Sequence, residues 1–103
     1  MNIEEFRAEL EVRLLIDKEY LTQEASTIDD AQERLELLGK FNEKYRLLIK
    51  RLANENGIDL SALYESSAVD SGTALSYEQV ILGKTMNIYD KLVDELYEEI
   101  TRL

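Results

Sequence analysis

Hydrophobic residues recur along most of the chain at alternating three- and four-residue spacing, the period of a helix with an apolar face. Over residues 2 to about 21, Ile3, Phe6, Leu10 and Leu14 form one stripe. Val12, Leu15 and Ile16 widen it, which predicts a helix with more than one packing partner. Asn2 and Glu5 stand at N-cap and N3 spacing. The polar stretch 22–27 predicts a short connection. A single continuous helix is the alternative, because Leu10, Leu14, Leu21, Ile28, Leu35 and Leu38 keep one heptad register.

A second helix is expected from Thr27, whose hydroxyl can cap it, with Asp29 and Asp30 at the positive end of the helix dipole. It should run to about Asn56, with Gly57 in the left-handed position beyond it. Its seam reads Ile28, Ala31, Leu35, Leu38, Asn42, Tyr45, Ile49 and Leu52, with a second stripe at Leu37, Phe41 and Leu48. Asn42 is polar within that seam: buried, it would fix register or oligomeric state, and otherwise it marks a solvated edge. Asp59 can cap a short helix reaching residue 64 or 65, and residues 66–73 read as a loop. Ser76 and Gln79 have capping-box spacing for a last helix over residues 77 to about 102. Its seam is Leu82, Met86, Tyr89, Val93, Leu96, Ile100 and Leu103, beside a second stripe at Ile81, Ile88 and Leu92. No segment alternates with the period of a strand. The fold class is therefore all-α: an antiparallel bundle of three long helices plus one short connecting helix, in a single domain over residues 1–103.

Composition narrows the chemistry more than it changes the fold. The 103 residues are 45% hydrophobic and 33% charged, as in a folded globular chain. They include 22 acidic and 12 basic side chains, a net charge of −10, which argues against routine binding to a phosphate backbone. Histidine, cysteine, tryptophan and proline are absent. Without His and Cys there is no Ser-His or Cys-His nucleophile, no usual zinc or haem ligation, and no disulfide framework. The N-terminal segment carries Glu4, Glu5, Glu9 and Glu11 among its apolar residues and does not resemble a secretory leader. With no apolar run long enough to span a bilayer, a cytoplasmic location is expected.

The acid is unevenly placed. Residues 40–52 hold Lys40, Lys44, Arg46, Lys50 and Arg51 against Glu43 alone, while both flanking regions are acidic. Internal complementarity is the simpler reading, with this block lying beside Glu4, Glu5, Glu9 and Glu11 in a helical hairpin. A docking patch is the sharper one. Lys40, Lys44 and Arg51, and on the last helix Asp94, Glu95 and Glu98, are the candidate charged contacts. Asp90, Asp94, Glu95, Glu98 and Glu99 otherwise read as a solvated face. Among the 6 tyrosines, Tyr45 and Tyr89 fall on seams, where the hydroxyl would reach the bundle edge, while Tyr64 and Tyr97 suit exposed contacts. Gly39 and Gly83 sit inside helices, where a close crossing or a kink would explain them.

Two motifs bear on catalysis. Val69, Asp70, Ser71, Gly72 and Thr73 resemble the active-site loop of aspartic proteases, and Ile81, Leu82, Gly83 and Lys84 resemble that family's second segment. That fold is all-β and its two halves lie far apart in sequence, so here the first motif reads as a turn and the second as helix. The run Lys91, Leu92, Val93, Asp94, Glu95, Leu96, Tyr97, Glu98 resembles the first carboxylate helix of all-α nucleotide pyrophosphohydrolases. That resemblance implies Mg²⁺ held by Glu95 and Glu98, but it covers one helix of the two the family needs.

The expectation is a small acidic, non-enzymatic protein–protein interaction module of adaptor, assembly or regulatory type, with no cofactor and no direct nucleic-acid or membrane contact. Homodimerisation is expected through Leu82, Met86, Tyr89, Val93, Leu96, Tyr97 and Ile100. The alternative is an acidic inhibitor, of the style encoded by phages, that occupies a host nucleic-acid-handling protein. A Mg²⁺-dependent phosphohydrolase ranks third.

Overall fold

The computed structural model describes residues 1–64 and 75–103. Three helices, α1 (Ile3–Ala25), α2 (Ala31–Glu55) and α3 (Tyr77–Thr101), pack against one another in a body measuring 52 × 26 × 18 Å. Cross-helix contacts give their order. Arg13 and Glu24 of α1 meet Glu55 and Lys40 of α2, so numbering rises along one as it falls along the other. Arg7 and Lys18 of α1 meet Lys84 and Glu95 of α3 with both rising together.

Helix ends follow their capping chemistry. The Asn2 side chain accepts the Glu5 amide at 2.8 Å. The α1 helix continues past the expected end at residue 21 to Ala25, because Leu21 and Ala25 extend its buried face and no residue before them stops it. The chain does break between α1 and α2, at residues 26–30. Thr27 is not the cap of α2: its hydroxyl donates to Glu24 O at 2.7 Å and so closes α1. Asp30 caps α2 instead, accepting the amides of Gln32 and Glu33. At the far end Gly57 takes φ +66°, and Ile58 N–H reaches back to Ala53 O at 2.9 Å, a glycine-terminated helix end. Ser76 and Gln79 form the expected capping box; Ser76→Ala should cost about 1 kcal/mol in thermal or urea unfolding.

The expected short helix after Asp59 is absent from its described part. Asp59 caps a turn, accepting from both Ser61 N–H and Ser61 Oγ. The carbonyls of Leu60 and Ala62 are drawn away to accept the first amides of α3, Glu78 and Tyr77, at 3.0 and 2.9 Å. An isolated antiparallel bridge joins Leu63 to Ser76. The expected loop at 66–73, with its Val69-to-Thr73 motif, lies outside the described residues. Ile81, Leu82, Gly83 and Lys84 lie within α3.

The core differs from the expected seams. In α2 it is Leu37, Phe41, Tyr45, Leu48, Ile49, Leu52 and Ala53, whereas Ala31 and Leu35 are exposed. In α3 it is Ile81, Thr85, Ile88, Leu92, Leu96 and Ile100, whereas Met86 is 51% exposed. Each helix carries two apolar stripes of identical period, and the bulkier Phe41 and the three isoleucines of α3 fill the centre. Gly39 and Gly83 mark no close crossing, since a Cβ at either would meet nothing within 4 Å. Gly39→Ala and Gly83→Ala should each raise stability by about 0.5–1 kcal/mol, a higher melting temperature in calorimetry.

Candidate functional site

Two surfaces carry apolar side chains that the core does not use. The first is the outward side of α1. Its buried face is Phe6, Leu10, Leu14, Lys18, Leu21 and Ala25, yet Val12, Leu15, Ile16 and Tyr20 on the other sides are 40–65% exposed. Across the groove between α1 and α2, Leu47 is 58% exposed. Arg13, Ile16, Asp17, Lys44, Leu47 and Arg51 line a depression of about 270 Å³ there. The sequence assigned Val12, Leu15 and Ile16 to a second packing partner. None of the three described helices supplies it.

The second surface is the α2–α3 groove of about 480 Å³, lined by Arg46, Lys50, Leu82, Met86 and Tyr89 among others. It holds part of the expected dimer face. Met86 and Tyr97 are exposed, while Leu82, Tyr89 and Val93 are half-buried. Leu96 and Ile100 are not available to a partner, because both lie inside the chain's own core at 0% and 2% exposure. Asn42 sits at the edge rather than in the seam's interior: its amide donates to Tyr89 Oη at 3.1 Å and its carbonyl accepts from Arg46. Tyr45 does not reach the edge. Thr85 Oγ1 donates to Ile81 O at 2.8 Å, leaving the Tyr45 hydroxyl to donate to Thr85, also at 2.8 Å. Burial pushes the Tyr45 phenol upward from its ordinary pKa. Tyr64 is half-buried and packs edge-on against Tyr77 at 5.2 Å.

The charges sort differently from the sequence reading. Among the described residues the basic block does not meet Glu4, Glu5 or Glu11; Lys40 pairs with Glu24 at 3.1 Å, and Lys44, Lys50 and Arg51 form no ion pair within 4.0 Å. Glu9 instead holds Arg13, which also makes a two-pronged contact with Glu55. The acidic face of α3 is only partly solvated. Lys18, 7% exposed, lies 3.3 Å from both Glu95 and Glu99, and Thr22 Oγ1 lies 2.7 Å from Glu99. Burial opposes the Lys18 charge, but the hydrogen bonds to Glu95 and Glu99 outweigh it and raise its pKa. The Thr22 hydroxyl, and then Lys18, hold the Glu99 carboxyl below the usual range.

Lys18 was missed from sequence because a cation on an apolar stripe reads as an interruption. Its spacing between Leu14 and Leu21 is the one signal that could have found it. Glu95 and Glu98 do not converge as a carboxylate pair: Glu95 faces Lys18, whereas Glu98 turns to Arg102 at 3.7 Å. Asp94 is exposed. Among the described residues no group of three or more His, Cys, Asp or Glu is placed to hold a metal ion, and no helix is long and apolar enough to cross a membrane. No family model, curated protein or solved structure matches the chain.

Proposed function

We infer that this chain is a small acidic, non-enzymatic protein–protein interaction module of adaptor, assembly or regulatory type, built on an antiparallel three-helix bundle. The observation that carries this reading is that α1 is apolar on opposite sides while only one side is packed. A helix that carries apolar side chains on opposite sides ordinarily has a partner on each, and clustered exposed apolar side chains mark a contact site. Self-association through α3 retains Met86 and Tyr97, a smaller set than α1 offers.

A photo-crosslinking amino acid placed at Ile16 or Leu47, with Glu36 as an exposed control, tests the reading in the producing cell. Both apolar positions should give a discrete adduct that the control does not. Absence of an adduct at both would overturn it.

The second reading, an acidic inhibitor of a basic nucleic-acid-handling protein, draws on the outward side of α3. There Met86, Asp90, Asp94, Tyr97 and Glu98 are exposed together. Binding of that kind should fade in moderate salt and with Asp90→Asn plus Asp94→Asn.

A further inference from the structure

We propose that the occupant of the outward α1 face is a second copy of this chain, in a two-fold dimer centred between Val12 and Ile16 with the two α1 helices running antiparallel. The proposal rests on the interaction-module reading and names its partner. Glu5, Ala8, Val12, Ile16, Glu19 and Gln23 fall on one helical stripe with three-, four- and seven-residue spacing, and Tyr20 borders it. A two-fold axis at its midpoint, level with residue 14, sets the small Ala8 of one copy opposite the large Tyr20 of the other and places Ile16 against Val12. Such an isologous contact needs a self-complementary face, and the charges supply one. Carboxylates of α1, Glu5 and Glu19, stand exposed on the stripe, while Lys44 and Arg51 of α2 flank Leu47 beside it. Among the described residues none of these four has an ion-pair partner within its own chain. Pairing two copies in this register brings Glu5 of one level with Lys44 of the other, in both directions at once.

The available area is also of the right order. The 23 residues of α1 extend roughly 35 Å, and α1 with its α2 flank is about 20 Å wide, so each copy offers about 700 Å² against the ~800 Å² per partner of a stable complex.

Sedimentation equilibrium at about 100 μM should give twice the 11.9 kDa chain mass. Ile16→Glu should return the mass of one chain with unchanged helix content, since Ile16 is not in the core. Glu5→Lys and Lys44→Glu should each weaken the dimer about fivefold. Mixed in equal amounts they should recover the parental affinity, because the mixed pair restores opposite charges at both symmetry-related contacts. A wild-type chain that sediments as a monomer overturns the proposal, as does a dimer indifferent to Ile16→Glu or a charge-swapped mixture no tighter than its components. A wild-type monomer that still crosslinks through Ile16 to a different protein would refute the second copy while leaving the interaction-module reading standing.

Discussion

Phe41→Ala should lower the unfolding free energy by about 3–5 kcal/mol and the melting temperature by roughly 20 °C, the largest single-site loss expected in this chain. Phe41 is fully buried in the core shared by the three helices and stacks on Tyr89 with centroids 5.5 Å apart. Tyr89 in turn lies 4.6 Å from the Tyr45 ring, so truncating Phe41 removes one end of a row of three aromatics. A bundle only 18 Å across its thinnest dimension has few second-layer atoms that could collapse into the space left behind. Calorimetry of the variant reads this directly. A loss below about 1 kcal/mol would mean that the centre of the bundle lies elsewhere.

The second large effect concerns the cation between α1 and α3. Removing both counter-charges with Glu95→Gln plus Glu99→Gln should cost about 2 kcal/mol at neutral pH, because an almost buried ammonium is left without an anion. That figure lies between the values for surface and fully buried pairs, since both carboxylates are roughly two-fifths exposed. Lys18→Met should cost less than the double variant, because Met fills the same volume and the two carboxylates can turn to water. The pH dependence follows from the direction of each shift. Glu99 has a lowered folded pKa, so its contribution is present above the ordinary carboxylate value and lost as pH falls through the lowered one. Lys18 has a raised folded pKa, so its contribution is present below the ordinary lysine value and lost as pH rises through the raised one. Urea midpoints from about pH 3 to 11 should therefore show a plateau in wild type that is flattened at both ends in Lys18→Met. A Met variant less stable at neutral pH than the double Gln variant would contradict this account of the site.

What could be read from sequence was local. The caps at Asn2 and Ser76, the glycine end at Gly57 and the helical period all depend on residues within five positions of one another. The choice of core stripe did not, because Leu35 and Leu38, three apart, and Leu37 and Phe41, four apart, fit a helical period equally well, and only the neighbouring helices decide which set turns inward. The turn at residues 59–62 depended on carbonyls claimed by α3, as the first amides of that helix needed acceptors. Lys18 depended on two glutamates 77 and 81 positions away, which no local pattern could pair with it. The exposed side of α1 was legible as an excess of apolar residues at Val12, Leu15 and Ile16. What remained hidden was that Leu47 and the cations Lys44 and Arg51 would stand beside it.

The absence of cysteine from the 103 residues permits a direct test of whether the outward α1 face is covered in its working state. An Ile16→Cys variant carries the chain's sole thiol, and a Glu36→Cys variant supplies an exposed reference. Both should react with N-ethylmaleimide at similar rates when the purified chain is diluted far below the dimer's dissociation constant. In cells producing the chain, the thiol at position 16 should react several-fold more slowly than the one at 36, because another protein surface lies over it. Equal rates in the cell would show that α1 faces water there, and would contradict an interaction function centred on this helix.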